Sequence, residues 1–287
     1  MSSPAVATGS VANDLGALPT WDLSDLYPGL DSAELKRDLA AVAERAARLE
    51  QQNKGRIADL SGDDLGAAIA EYEQLQDLIG RMMSYASLAY ASNMTDARIA
   101  GFYQDMQEKL NEITTKLLFL TLELNRLEDA ALERKLSESA KLSHYRPWLR
   151  DLRLFREHQL SDEIEQLLHE KAVAGRAAWS RLFDETMAGL RFPFGKDKLT
   201  AEQVLHKLSD RDPKVRKTAA KSLAKVFREN IRLFALITNT LAKDKEVEDR
   251  WRRYPTPEAY RHLSNCVEPE VVNALTDAVT AAYPRLS

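Results

Sequence analysis

The sequence predicts a mainly α protein built of long antiparallel helices, with one small β-hairpin near residues 190–200. Three observations carry that prediction. Apolar residues recur every three or four positions over long stretches, the period of a helix with one buried face. Only 11 Gly and 10 Pro punctuate 287 residues, too few for many short strands and turns. A single stretch, GLRFPFGKDKLT at 189–200, reads as strand, turn and strand, with Phe192 and Phe194 on one face and Gly195-Lys196 at the turn.

The helices follow in order. In PTWDLSDLYPGL, Trp21, Leu23, Leu26 and Tyr27 are expected to anchor an extended segment onto a helical body. Asp31 or Ser32 caps a first helix carrying Leu35, Leu39, Val42, Ala46 and Leu49. Ser61 with Asp64 resembles a capping box and opens a second, long helix with the stripe Leu65, Ile69, Tyr72, Leu75, Ile79, Met82, Ala86 and Ala89. Thr95 is expected to cap the third. There Ile99, Tyr103, Met106, Leu110, Ile113, Leu117, Leu120, Leu124 and Leu127 alternate steps of four and three, about 43 Å of seam at 1.5 Å per residue. Such a seam serves either an antiparallel pair within one domain or a dimerising coiled coil.

Residues 128–160 predict shorter helices broken near Pro147. Ser161 ahead of Asp162 and Glu163 starts a helix running toward Ala188, because acidic side chains suit a helix N-terminus. Beyond the hairpin, Thr200 with Gln203 forms a second capping box. Asp212-Pro213 begins a helix lined by Val215, Ala219, Leu223 and Phe227, which is expected to continue through Ile231, Phe234, Ile237 and Leu241. Thr256-Pro257-Glu258 and Glu268-Pro269-Glu270 open two more, the last carrying Val271, Leu275, Ala278, Val279 and Ala282.

Composition narrows the function. A net charge of −4 argues against a protein built mainly to hold nucleic acid. The lone Cys266 excludes an internal disulfide framework and suits a reducing compartment. Residues 1–18 lack the basic and apolar regions of a secretory signal and read as a disordered leader. The most apolar short run, LLFLTL at 117–122, is far below the roughly 20 residues that cross a bilayer. The expectation is a cytoplasmic protein with no nucleic-acid or membrane partner.

Candidate chemistry is sparse. LLHEKAV at 167–173 begins as the zinc-peptidase pattern H-E-x-x-H does, with His169-Glu170, but Val173 stands where the second ligand is needed. The five histidines are His144, His158, His169, His206 and His262, and no two lie four apart. Cys266 has His262 four residues before it, but no third orienting group is visible. In KDKEVEDRWRRY at 243–254 the basic residues are offset by Asp244, Glu246, Glu248 and Asp249, the pattern of an ion-paired, solvated helix end. No catalytic, cofactor-binding or metal-binding residue is assigned from the sequence.

Four stretches, taken together and in order, resemble the oligoendopeptidase F family of the thimet-oligopeptidase-like clan. They are WDLSDLYPG at 21–29, the long run from LSHYRPWLRDLRLF to ETMAGLRF at 142–192, DRDPKVRKTAAKSL at 210–223, and the run from NTLAKDKEVEDRW to VVNAL at 239–275. The resemblance implies a zinc metalloendopeptidase that hydrolyses short peptides with metal-activated water. It also implies parts: residues 19–190 as an N-terminal helical lobe that walls a peptide cleft, and 191–287 as the hairpin plus the truncated start of a helical catalytic domain. The family's H-E-x-x-H helix and later glutamate lie downstream of the matched region. The expectation is therefore that this chain holds no zinc and is inactive alone, its partners being short peptides and the missing catalytic domain. The alternative is a standalone helical interaction or dimerisation module.

Overall fold

The computed structural model describes residues 21–286, so the expected disordered leader at 1–18 lies outside the described residues. Three long helices come first: α1 (Ala33–Asn53), α2 (Gly62–Ser92) and α3 (Ala97–Arg126). Ser32 Oγ accepts from the Leu35 amide and Ser61 Oγ from the Asp64 amide, satisfying donors that a helix start leaves orphaned. Asp96, rather than Thr95, caps α3, its Oδ1 accepting from the Arg98 and Ile99 amides. A carboxylate there also complements the helix dipole, which a threonine hydroxyl does less well.

The apolar stripes of these helices face one another. Val42, Ala46, Leu65, Leu75, Met82, Leu117, Leu120 and Leu124 are all essentially inaccessible to solvent. The α3 seam is thus consumed inside the chain rather than by a second copy. Tyr27 joins the same core, with the Arg81 guanidinium 4.8 Å from its ring centroid and its hydroxyl donating to Asp38 at 3.1 Å. Burial, then the Asp38 hydrogen bond, push the Tyr27 pKa up to about 12. Trp21, expected to help in this anchoring, is instead 74% exposed; Leu23 and Leu26 pack on the core without it.

Short helices close one end of the bundle: α4 (Asp129–Glu138), α5 (Ala140–Ser143) and α6 (Arg146–Arg153). Pro147 sits in the first turn of α6 and so begins a helix instead of breaking one. Two glycines of α2 let this layer come close. A Cβ on Gly62 would lie 2.6 Å from the Lys135 carbonyl oxygen, and one on Gly66 2.9 Å from the Leu142 nitrogen. Then come α7 (Asp162–Lys171) and α8 (Arg176–Gly189), which the sequence reads as one helix. The chain departs from helix at Gly175 (φ −95°, ψ −117°), whose amide still donates to the Lys171 carbonyl.

The hairpin is antiparallel, β1 (Phe192–Phe194) with β2 (Asp197–Leu199), pairing Phe192 with Leu199 and Phe194 with Asp197. Gly195 turns it with φ of +63°, a conformation that side chains with a Cβ rarely adopt. Phe192 is fully buried and centres a second, smaller core with Val204, Ala219, Leu223 and Val226. That core joins α9 (Ala201–His206), opened by the Thr200–Gln203 capping box, to α10 (Pro213–Glu229). The predicted continuous helix past 229 breaks at Asn230, giving α11 (Ile231–Arg252); the Asn230 side chain bonds back to the Val226 carbonyl. Finally α12 (Ala259–Ser264) and α13 (Pro269–Leu286) follow.

Two substitutions probe this packing. Leu120→Ala is expected to lower stability by about 2–5 kcal/mol, the range for truncating a fully buried leucine. Gly66→Ala, forcing its Cβ against backbone that does not yield, is expected to cost about 1–3 kcal/mol although alanine favours helix. Urea unfolding followed by circular dichroism measures both.

Candidate functional site

The residues that the sequence offers for chemistry are held apart. His169 sits on α7 against α3, its Nε2 2.8 Å from Thr114 Oγ1 and its carbonyl accepting from the Asn111 side chain at 2.9 Å. Burial lowers its pKa below the usual 6.5, so the imidazole is neutral at pH 7. Glu170 is exposed and accepts from Gln166 one turn earlier. His169 behaves as a packing residue of the helix and Glu170 as a solvated one. Cys266 is exposed, in the left-handed region at φ 49°, and its amide closes the turn after α12 on the Leu263 carbonyl. Among the described residues no three His, Cys, Asp or Glu side chains come together to hold a metal ion.

The 243–254 cluster resolves into ion pairs along α11, as its spacing predicts. Lys245 pairs with Asp249, Arg250 with Glu246, and Arg252 with Glu248. Arg252 does more than its position in the sequence suggests. Its guanidinium also grips Glu165 of α7 through two nitrogens, at 2.6 and 2.9 Å, with the two side chains only 17% and 13% exposed. The backbone completes the joint. His158 Nδ1 lies 2.8 Å from the Arg252 carbonyl oxygen, which can only accept, so the proton is on Nδ1. The His158 ring stacks on Tyr254 at 4.0 Å, and Tyr260 bridges Tyr254 to Phe155. Arg253, at φ 60°, makes the turn that brings Tyr254 back onto the histidine.

Beside this joint an open hollow of about 370 Å³ is lined by Asn125, Arg126, Arg156, Gln159 and Leu160. Asn125 is buried; its Nδ2 donates to Gln159 Oε1, while its Oδ1 has no hydrogen-bond partner. Arg126 pairs with Asp162, and Arg156 with Asp129 at 3.3 Å. The arginines are thus largely neutralised where they stand. The hollow has polar walls and no nucleophile or general base, and so offers no catalytic arrangement.

The surface beyond residue 200 is different in kind. Val271, Leu275 and Val279 repeat every four residues along α13 and are 56%, 66% and 45% exposed. Ile231 and Leu236 of α11 are exposed as well. An 18-residue helix with its apolar stripe in water is marginal by itself, since most helical stability comes from packing that stripe. No helix among the described residues is long and apolar enough to cross a membrane.

Comparison with known proteins gives this architecture a context. Residues 123–192 match the family model for the N-terminal region of oligopeptidase F. In fold the chain is similar to oligoendopeptidase-F from Enterococcus faecium, at 21% identity and a TM-score of 0.78, over 88% of this chain and 50% of that one. It is also similar to an inferred peptidase from Chlamydophila abortus, at 17% identity and a TM-score of 0.53, over 90% of this chain and 44% of that one. No curated protein matches the sequence. The chain therefore shares the fold of part of oligoendopeptidase-F from Enterococcus faecium and spans half the length of that solved relative.

The Arg252–Glu165 joint predicts a pH dependence. Burial by itself would raise the Glu165 pKa, but the hydrogen bonds from Arg252 and from the Leu160 amide outweigh it, and the net shift is below the usual 4.5. A carboxylate with a depressed folded-state pKa contributes stability that is complete above its unfolded value and is lost as pH falls through the folded one. Stability should therefore fall progressively below pH 4.5, and Glu165→Gln should flatten that part of the curve. At pH 7 Arg252→Gln is expected to cost about 1.5–3 kcal/mol by leaving Glu165 short of its charged donors. Denaturant titrations across pH measure both.

Proposed function

We propose that this chain forms the N-terminal half of a cytoplasmic, zinc-dependent oligoendopeptidase of the oligoendopeptidase F kind, acting on short peptides. The observation that carries the reading is one of extent: 88% of the chain aligns with half of a solved oligoendopeptidase-F, while α13 presents an uncovered apolar stripe. On this reading α1–α8 are the helical lobe that walls the peptide cleft. The segment from β1 onward is the start of the catalytic domain, and α13 is covered by the remainder of that domain.

Among the described residues no set of side chains assembles that would fit a zinc site. No catalytic step is assigned to them. On this reading the zinc site of the complete enzyme, and the water-activating chemistry it would supply, would be held by residues other than those described.

Two measurements test the proposal. The 287-residue chain is expected to show no chelator-sensitive hydrolysis of a quenched fluorescent peptide with added zinc, and joining it to a segment that bears H-E-x-x-H is expected to create such hydrolysis. Chelator-sensitive turnover by the chain alone would refute the reading. Leu275→Asp is expected to leave the unfolding free energy of the 287-residue chain within about 0.5 kcal/mol of wild type, as for an exposed site. In the joined protein the same change should lower both stability and turnover.

A further inference from the structure

Helix α10 carries an arrangement that the peptidase reading does not use. Lys214, Lys217, Lys221, Lys225 and Arg228 recur at steps of three and four and are all exposed. At about 100° per residue they fall within an arc of about 80°, a single row about 21 Å long. Ala219, Ser222, Leu223 and Val226 hold the far side of the helix in the second core, so the row faces solvent squarely. None of the five forms an ion pair with any described residue. This sets α10 apart from the C-terminal half of α11, where Lys243, Lys245, Arg250 and Arg252 are matched by acids about one turn away.

The arrangement costs stability. Like charges three or four residues apart repel, and beyond the Asp212 carboxylate that caps the helix no acidic residue stands in the first turn, which holds Lys214 and Arg216. Arg216 turns away from the row, donating to the Asp210 and Arg211 carbonyls. Ala220 and Ala224 lie exposed along one flank, small enough to let another backbone come close. A row of uncompensated positive charge on a protein of net charge −4 is a local field, not a reflection of composition.

We propose that this row is a docking strip for an acidic polypeptide segment, its carboxylates meeting the five cations in register. Lysine suits that role, because its ammonium is a point charge on a flexible stem that pairs with carboxylates without demanding a fixed fork geometry. The row is one helix wide and carries no aromatic side chain, so it lacks the stacking platforms and broad basic groove that hold nucleic acid. The apolar face of α10 is buried in the second core, so the helix cannot lie in a membrane interface as an amphipathic anchor does. The inference does not depend on the peptidase reading.

Fluorescence anisotropy of the 287-residue chain with a labelled polyglutamate peptide at low ionic strength tests it. Saturable binding is expected that weakens steeply with added salt. The Lys217→Glu/Lys221→Glu variant, altered only at exposed positions, is expected to bind at least about tenfold more weakly, a loss of about 1.4 kcal/mol. A control with the same change in net charge, Lys54→Glu/Lys116→Glu, should bind as wild type does, and circular dichroism should show both variants folded. Absence of binding, equal losses in the two variants, or tighter binding of a single-stranded oligonucleotide or of phosphatidylserine vesicles would each overturn the proposal.

Discussion

The seam of α3 is the constraint from which the first lobe is built. Its apolar positions present Met106, Leu110, Leu117, Leu120 and Leu124 as one continuous ridge, and α1 and α2 both pack against it. The polar positions of the same helix are used too. Glu123 accepts from the Gly55 and Ile57 amides, fastening the α1–α2 connection. Asn111 and Thr114 hold α7 through His169, and Asn125 reaches the 156–160 segment through Gln159. One 30-residue helix thus touches α1, α2, α6 and α7, while α4 and α5 are seated on α2. A polar replacement at Leu120 therefore threatens the whole lobe and not a single contact.

The second part of the chain is joined to that lobe by apolar packing and by a polar joint together. Its own core around Phe192 is small and takes in Met187 and Leu190 at the end of α8, and Phe183 of α8 meets Phe234 of α11 edge to face. An ion pair and a stack of aromatic rings tie the end of α11 to the lobe. Such a joint is directional. The paired hydrogen bonds of Arg252 on Glu165 fix an orientation as well as a contact, whereas an apolar contact tolerates sliding. Faces of the segment away from these contacts stay exposed. The apolar stripe of α13 and the cationic row of α10 are two such faces, and they ask for partners of opposite chemistry.

Much of this was legible in the sequence, for identifiable reasons. Helical spacing placed α1, α2 and α3 because each long stripe has a single compatible burial face. The Thr200–Gln203 box and Asp212-Pro213 placed helix starts because caps are local hydrogen bonds between neighbours in sequence. The errors were local competitions that spacing does not register. Gly175 and Asn230 each divide a stripe that reads as continuous, and Pro147 starts a helix that it was expected to interrupt. Trp21 shows the reverse error, an aromatic side chain near the core that the core does not take in.

The sequence by itself determined the mainly α class, the hairpin, the identity of the core stripes and the lack of a zinc pattern at His169-Glu170, since all of these depend on neighbours a few residues apart. Only the tertiary structure decided that the α3 seam closes within one chain, that Glu165 and Arg252 meet across 87 residues, and that α10 turns its five cations outward without acidic partners. These depend on which faces of distant helices come together. Spacing along one helix carries no information about its opposite number.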